Sequence, residues 1–363
     1  MKFTVSREKL LDALKRVNST VSSRNTLPIL GNVLIEAENN QVVLTTTDLE
    51  IRISTRIEAE IEVAGSTTIP AKRLLSLVSK FEDAVVSISS DERYHAEVTC
   101  GTSCFKLLGI APEDFPGSVE LAPIRTITFK GAELKRMLGQ IIYAITLNDS
   151  RKVLHGMLVS VHDNTVTMVA TDSKRLAMTE RSLENFSGGD GDCIIPLQAA
   201  IDIKGQADPK SDITLEVGDK MARFTTPDTV LTTKLIEGNY PNYRQVIPGS
   251  FTKQVTVATS ALLGKIELVS QVLADSTGCI ELKFSSDRLE LRAASSDIGE
   301  GSAELPVEYS GEDMTASFNP VFLADPLRYA DCETMTFKMN DGFSPVAIDG
   351  NDGFLYVIMP MRH

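Results

Sequence analysis

The sequence predicts an α+β protein made of three consecutive domains of similar design. Three observations predict this fold. The length of 363 residues exceeds the usual size of one hydrophobic core. A strand pattern followed by an amphipathic helix occurs three times. Each occurrence leads into strands that end in an Asp-containing turn and then into a second helix start marked by proline. Signals that recur at a nearly constant interval indicate a repeat architecture.

The first helix of each copy is predicted from apolar residues that fall on one helical face. The equivalent leucines Leu10, Leu134 and Leu262 lie 124 and then 128 residues apart, so the copies are in register. The full faces are Leu10, Leu14, Val17 and Val21; Leu134, Leu138, Ile141 and Ile145; and Leu262, Ile266, Val269 and Leu273.

An aspartate follows the strands after each first helix. Asp48, Asp172 and Asp297 are 124 and 125 residues apart. Aspartate is favoured in turns because its carboxylate accepts nearby backbone N–H groups. We therefore interpret the three residues as turn formers rather than as catalytic carboxylates.

A proline marks the second helix of each copy, since proline is suited to the first helical turn. These starts are Pro70, Pro196 and Pro320, and Pro326 interrupts the third pattern. Further strand patterns close each copy. The repeat places the three domains at residues 1–124, 125–250 and 251–363.

Composition indicates an ordinary globular chain. Hydrophobic residues make up 42%, charged residues 23%, and the mean hydropathy is near zero. No apolar run approaches the roughly 18 residues of a membrane span, and the N-terminus has no apolar segment typical of a secretory signal. We expect a cytoplasmic protein.

The cysteines and histidines do not predict a metal site. The five cysteines are scattered, and none of the four histidines has metal-ligand spacing to a cysteine or another histidine. Free and mostly buried thiols are the favoured interpretation, and no metal or cofactor is expected.

The basic residues collect on the predicted helices although the net charge is −13 and the pI about 4.9. On one helix such residues indicate a solvated face. In a repeat, however, equivalent helices lie on the same side, where they would form a positive stripe suited to duplex DNA phosphates. The residues are Arg7, Lys9, Lys15, Arg16, Lys72, Arg73, Lys80, Lys135, Arg136, Lys204, Lys265 and Arg328.

Four segments, in this order along the chain, resemble the bacterial DNA sliding clamp family, the β subunit of DNA polymerase III. They are Thr26-Leu27-Pro28-Ile29-Leu30-Gly31-Asn32, Ala170-Thr171-Asp172-Ser173-Lys174-Arg175-Leu176-Ala177, Glu237-Gly238-Asn239-Tyr240-Pro241-Asn242-Tyr243 and Tyr356-Val357-Ile358-Met359-Pro360-Met361-Arg362.

The resemblance implies a head-to-tail homodimer whose six domains form a ring around duplex DNA. Two helices of each domain would pack on antiparallel sheets, with helices lining the hole. Such a ring is a processivity factor without enzymatic activity or sequence specificity, associated with the nucleoid. It tethers the replicative polymerase, the clamp loader, and repair or translesion polymerases through short peptides.

The resemblance also implies three groups of site residues. An apolar peptide-binding pocket would use Leu154, Thr171, Ser173, Lys174, Arg175, Leu176, Pro241, Val246, Asn319, Val357, Ile358, Met359, Pro360, Met361 and Arg362. DNA contacts would come from Arg24, Asn148 and Arg151, and charge and helix position add Lys72, Arg73, Lys135, Arg136 and Lys204. The dimer interface would join Phe105 and Leu107 of one copy to Val272 and Leu273 of the other.

Alternatives remain open at several of these residues. The final apolar run is also typical of a buried strand. The four interface residues are also typical of the hydrophobic core of a single domain. Ser173-Lys174, Gln245 and His363 depart from the family pattern, so we expect the shape of the pocket and its preference for particular peptides to differ from those of other members.

Two other classes of protein compete with this interpretation. An enzyme would need Glu8, Asp12 or the repeated aspartates as acid and base, and no phosphate loop or nucleophile motif accompanies them. A two-domain clamp that trimerises would also reach six domains, but three repeats in one chain favour a dimer.

Overall fold

The structure, a computed structural model, describes residues 1–21, 27–274, 278–350 and 353–361. The chain folds into two compact units. Unit 1 comprises Met1–Ala132, Asn185–Gly189 and Ile201–Leu235. Unit 2 comprises Glu133–Glu184, Asp190–Ala200 and Ile236–His363.

The helices begin where the apolar spacing and the prolines predict. Leu10, Leu14 and Val17 are buried on the first, and Leu262, Ile266 and Val269 on the fifth. Asn319 caps the sixth by accepting hydrogen bonds from two backbone N–H groups of its first turn. The α-helices of the described ranges are α1 (Arg7–Val17), α2 (Ala71–Lys80), α3 (Gly131–Ile141), α4 (Leu197–Gln206), α5 (Thr259–Val269) and α6 (Pro320–Tyr329).

The strands fill the intervals between these helices. In chain order they are β1 (Lys2–Ser6), β2 (Asn32–Glu38), β3 (Gln41–Thr47), β4 (Ile51–Glu58), β5 (Glu60–Val63), β6 (Gly65–Pro70), β7 (Val85–Ser90), β8 (Ala96–Cys100), β9 (Ser103–Leu107), β10 (Arg125–Lys130), β11 (Gly156–His162), β12 (Thr165–Thr171), β13 (Arg175–Ser182), β14 (Phe186–Gly188), β15 (Gly191–Pro196), β16 (Asp212–Val217), β17 (Met221–Thr225), β18 (Thr229–Lys234), β19 (Lys253–Ala258), β20 (Ile280–Ser285), β21 (Arg288–Ser295), β22 (Gly299–Pro306), β23 (Met314–Phe318), β24 (Thr334–Met339), β25 (Val346–Asp349) and β26 (Phe354–Ile358).

Each unit holds two antiparallel sheets. In unit 1 the strand orders are β5-β1-β7-β8-β9 and β14-β10-β16-β17-β18-β4-β3-β2-β6. In unit 2 they are β15-β11-β12-β13-β26-β25-β24-β19 and β22-β21-β20-β23. The α+β class and the threefold repetition predicted from the sequence are confirmed.

The repeat is visible in the strand pairing. Two groups of four strands recur in every copy. One group is β1-β7-β8-β9, β10-β16-β17-β18 and β19-β24-β25-β26, and the other is β6-β2-β3-β4, β15-β11-β12-β13 and β23-β20-β21-β22. The last strand of the second and third copies pairs with the preceding copy, as β18 on β4 and β26 on β13. The equivalent strands β9 and β22 lie at sheet edges.

Short hairpin loops set the register inside each copy. Asn39 and Asn40 join β2 to β3 with φ angles of 52° and 59°, and Asp163 and Asn164 join β11 to β12 with 49° and 57°. Two-residue hairpin loops of the primed type need positive φ at both positions, which Asn and Asp tolerate better than most residues.

The interpretation of the repeated aspartates as turn residues is confirmed for two of the three. Oδ1 of Asp48 accepts the backbone N–H groups of Glu50 and Ile51, and Oδ1 of Asp172 does the same for Lys174 and Arg175. The Asp297 carboxylate instead accepts the hydroxyl of Ser296. The third turn is therefore built differently.

The cysteines are thiols outside any disulfide, as expected, but the expectation that most are buried is wrong. Cys100 and Cys193 are buried, Cys279 and Cys332 are partly exposed, and Cys104 is exposed. Cys104 lies on β9, an edge strand whose residues 103–106 are exposed.

Candidate functional site

A tight turn between β12 and β13 organises the surface of unit 2. The Thr171 hydroxyl donates to the Arg175 carbonyl at 2.6 Å and accepts the Ser173 N–H at 3.1 Å. Ser173 has a φ of 72°, in the left-handed region. These bonds, with those of Asp172, present Ser173 and Lys174 to solvent, where both are exposed.

The Arg175 side chain is buried below this turn, with 9% exposure. Its guanidinium donates to the Asp172 carboxylate at 3.0 Å, to Asp325 at 2.5 Å and to the Tyr143 carbonyl at 2.6 Å. It also lies over the Phe322 ring, 4.3 Å from the centroid. Arg175 therefore holds the turn to α6 and is not presented to a bound peptide.

The electrostatics of this cluster favour the charged arginine. Burial alone would lower the pKa of Arg175, but Tyr356 and the carboxylates of Asp325 and Asp172 raise it above its ordinary value. Burial raises the pKa of Tyr356, whose hydroxyl donates to the Phe322 carbonyl at 2.7 Å. The tyrosine stays neutral and acts as a hydrogen-bond donor.

An apolar cluster forms the floor of the same surface. Leu176 and Val357 are cross-strand partners in β13 and β26, and they pack with Tyr243 among the buried residues. Tyr240 and Ile247 pack against the cluster from the segment before β19. We call the Thr171–Arg175 turn, the end of β26 with residues 359–361, and residues 240–247 the unit 2 surface.

The predicted peptide-binding residues divide into framework and accessible groups. Leu154, Leu176, Val357 and Ile358 are buried, so the alternative of a buried final strand is correct for the last two. Val246 and Met359 are exposed by 46% and 43%. Thr171, Pro241, Asn319, Pro360 and Met361 are partly exposed. Arg362 and His363 lie outside the described residues.

Backbone bonds hold the accessible chain end in place. The Met359 N–H donates to the Lys174 carbonyl at 3.1 Å, and the Met361 N–H donates to the Ser317 carbonyl at 2.7 Å. The structure thus brings the turn and the C-terminal run together. Tyr143, Phe322 and Asp325 were missed by the sequence analysis. Pro326, which interrupts the predicted helix, drew attention to the neighbouring Asp325, and this was the signal in the sequence that could have found one of the three.

The predicted DNA-binding residues differ in exposure. Lys72 and Arg73 are exposed on α2, on the side away from buried Leu74, and Lys135 is exposed on α3. Arg136 and Lys204 are partly exposed. Arg24 lies outside the described residues.

Two further DNA candidates lie in the loop after α3. Asn148 is exposed, and its N–H donates to the Thr146 hydroxyl at 3.2 Å. Arg151 is exposed but makes two bonds to the Asp149 carboxylate, at 2.9 and 2.8 Å, and one to the Ser173 hydroxyl. The paired arginine holds the pKa of Asp149 well below its usual range. Arg151 would have to exchange this partner to contact a phosphate.

None of the four predicted interface residues is buried in its own unit. Phe105 is 40% exposed on β9, with its ring 5.9 Å from that of Phe81. Leu107, Val272 and Leu273 are partly exposed. The described part of the chain contains no cluster of three His, Cys, Asp or Glu residues placed to hold a metal ion. None of its helices is both long and apolar enough for a membrane span.

The fold and this surface define a class of protein: a repeated α+β scaffold that exposes apolar side chains beside a tight turn. Residues 1–120 match the N-terminal domain of the DNA polymerase III beta subunit, residues 128–242 its central domain and residues 244–362 its C-terminal domain.

Two relatives match over all or nearly all of their length. The beta sliding clamp of Chlamydia muridarum is 32% identical over 362 residues, covering 100% of this chain and 99% of the relative. That of Pseudomonas putida is 30% identical and fully covered. The crystal structure of the Pseudomonas aeruginosa sliding clamp, bound to griselimycin, superimposes with a TM-score of 0.94 at 30% identity and full coverage of both chains.

The chain belongs to the DNA polymerase III beta subunit family, the beta sliding clamps. Members of this family are processivity factors of DNA replication, not enzymes. The resemblance found in the sequence is confirmed.

Proposed function

We propose that two copies of this chain close head to tail into a ring that encircles duplex DNA and slides along it in the cytoplasm, at the nucleoid. The unit 2 surface would tether the replicative polymerase, the clamp loader and repair or translesion polymerases through short peptides. The domains of each copy would be residues 1–124, 125–250 and 251–363.

The strand pairing carries this proposal. The second and third copies of the repeat each have one strand that pairs with the preceding copy, as β18 with β4 and β26 with β13. The equivalent strands β9 and β22 pair with β8 and β21 on one side, and their other edges have no strand partner in the described chain. Unpaired edges are templates for pairing with another chain. If β9 of one subunit pairs with β22 of a second subunit, and β22 of the first pairs with β9 of the second, the head-to-tail contact closes into a ring after two subunits.

Apolar residues beside these two edges support the same contact. Phe105 and Leu107 lie on β9 itself. Val272 lies next to β22, since a Cβ placed on Gly301 would be 3.4 Å from its side chain. Burying partly exposed apolar groups together stabilises an interface.

The subunit count and one substitution test the dimer. The mass by light scattering should be twice 39.5 kDa. Phe105→Asp should weaken dimerisation by about 30-fold or more, the effect of losing an interface hot spot of about 2 kcal/mol or more, because it places a charge in the apolar contact.

Phe343→Asp is the matched control, because Phe343 is 70% exposed and lies outside the proposed interface. It should leave the mass unchanged. A stable trimer, or a Phe105→Asp protein that is folded by circular dichroism and as dimeric as the control, would refute the proposed contact.

The apolar surface carries the tethering proposal. Val246 and Met359 stay exposed above a floor of buried apolar residues, and methionine adapts to different partners. Short peptides with apolar anchors suit such a surface. For DNA, lysines and arginines on the helices would contact phosphates without reading sequence. Arg24 stays a prediction for DNA binding, and Arg362 stays a prediction for peptide binding.

A further inference from the structure

A second groove, in unit 1, occupies the place in the repeat that corresponds to the unit 2 surface. It lies on the face of β4, β17 and β18 and beside residues 116–119, and its volume is about 380 Å³. We call it the unit 1 groove. All of its lining residues belong to unit 1.

The turn at its rim repeats the hydrogen bonds that the threonine and aspartate side chains of the unit 2 turn make to the backbone. The Thr47 hydroxyl donates to the Ile51 carbonyl at 2.8 Å and accepts the Leu49 N–H at 3.0 Å, while Asp48 accepts the next two backbone N–H groups. Leu49 occupies the position of Ser173, 124 residues earlier, and has a φ of 77°.

Leu49 is an unusual residue for this conformation. A leucine in the left-handed region costs about 1–2 kcal/mol, and such strain persists mainly where function requires it. The strain is not offset by burial, since Leu49 is 46% exposed. Val119 and Val230, also in the groove, are exposed by 61% and 37%. Three exposed aliphatic side chains therefore line one concave surface.

The groove differs from the unit 2 surface in one chemical respect. Cross-strand pairing aligns Arg52 and Thr232 of unit 1 with Leu176 and Val357 of unit 2. The floor thus has a guanidinium where unit 2 has an apolar pair.

The Arg52 guanidinium has few polar partners within its own unit. It donates to the Pro116 carbonyl at 2.6 Å and lies over the Phe115 ring, 5.5 Å from the centroid. Burial lowers the pKa of Arg52, with Glu36 opposing the shift. Among the described residues no carboxylate comes within 4.0 Å of it.

The other charged residues of the groove have ion-pair partners, one inside the groove and one, Lys234, outside its lining. Arg223 binds Glu216 at 3.6 Å, and Glu50 binds Lys234 at 2.9 Å. Arg52 is the charged residue of the groove for which the described part of the chain gives no ion pair within 4.0 Å, although Glu36 acts on it from a greater distance. A desolvated arginine gains most from a carboxylate, which its planar fork can bind through two hydrogen bonds.

We propose that the unit 1 groove is a second peptide-docking site, selective for a protein segment in which an acidic side chain adjoins an aliphatic one. The carboxylate binds Arg52, and the aliphatic side chain packs among Leu49, Val119 and Val230. The site differs from the unit 2 surface in requiring a carboxylate, so the clamp would hold two peptides of different chemistry at once.

Methyl NMR of the full-length protein tests this. The probe is the blocked hexapeptide Gly-Ser-Asp-Leu-Gly-Ser, compared with its Asn-for-Asp analogue. The Asp peptide should shift the methyl signals of Leu49, Val119 and Val230 saturably. The Asn peptide should bind at least about ten-fold more weakly, since hydrogen bonds to charged groups contribute about 1.5–3 kcal/mol.

Variants locate the interaction. Arg52→Gln and Val119→Ser should each weaken binding of the Asp peptide, and Arg52→Lys should retain more of it than Arg52→Gln. Arg56→Gln is the matched control, since Arg56 lies on β4 outside the groove and donates to the Pro227 carbonyl. Val119 is exposed in a loop, so its replacement leaves the fold intact.

Three outcomes would overturn the proposal. They are equal binding of the Asp and Asn peptides, shifts confined to Met359 and its neighbours in unit 2, and shifts at Leu49 produced by a DNA duplex but not by the Asp peptide. The ring and the unit 2 surface would be unaffected by any of these results, because the readout is in unit 1 alone.

Discussion

Replacing Arg175 by methionine is expected to lower the free energy of unfolding of unit 2 by about 3–5 kcal/mol. The substitution leaves the Asp172 carboxylate without its cation and the Asp325 carboxylate with only Arg328, at 3.7 Å, in a site where the two acidic side chains are 13% and 10% exposed. Removing one partner of a buried ion pair is costly because the remaining charge stays desolvated. The turn that carries Ser173 and Lys174 would lose its attachment to α6.

Urea denaturation, monitored by near-ultraviolet circular dichroism, measures this loss of stability in unit 2. The chain has no tryptophan, and six of its seven tyrosines lie in unit 2. Arg288→Met is the matched control, because Arg288 and Glu304 form a pair at 3.2 Å in which both side chains are more than half exposed. Such pairs contribute about 0–1 kcal/mol. A loss below 1 kcal/mol for Arg175→Met would contradict the structural role assigned to this arginine.

Deletion of residues 359–363 is expected to abolish binding of a replicative-polymerase peptide and to leave the dimer intact. Strand β26 ends at Ile358, so its pairing with β13 survives the deletion. What is removed is the exposed Met359 and the chain beyond it. Loss of a central apolar anchor typically costs about 2 kcal/mol or more, and several anchors are lost together.

Fluorescence anisotropy of a labelled polymerase peptide, with light scattering on the same sample, checks both parts. A full-length chain with Met359 and Met361 replaced by serine separates side-chain from backbone effects and should bind at least 100-fold more weakly. Ile298→Ser, at an exposed apolar position of unit 2 between β21 and β22 and outside the unit 2 surface, should bind normally. Unchanged affinity after the deletion would place the peptide site elsewhere.

Local signals predicted the repeat well. Apolar spacing, the prolines before α2 and α4, and the aspartates at 48 and 172 each reflect forces that act within a few residues of the chain. The pairing of β18 with β4 could not be predicted in this way. It joins residues about 175 positions apart, and no local pattern encodes that partner.

The candidate site shows the same limit. The sequence located the Thr171–Leu176 and C-terminal segments, but not the depth of each side chain. Arg175 was assigned to peptide binding, yet its partner Asp325 lies 150 residues away in sequence and buries it. Leu154 and Ile358 were likewise assigned to the pocket, but both side chains are fully buried and support the surface from below. Burial depends on what covers a residue, and here distant segments do so.

Retention on DNA tests the ring most directly. After loading by its clamp loader onto a nicked circular plasmid, the protein should remain bound through gel filtration at a salt concentration that removes simple phosphate contacts. Linearising the same plasmid should release it, because a closed ring of two copies slides off a free end. Equal retention on the circle and on the linear duplex would contradict encirclement.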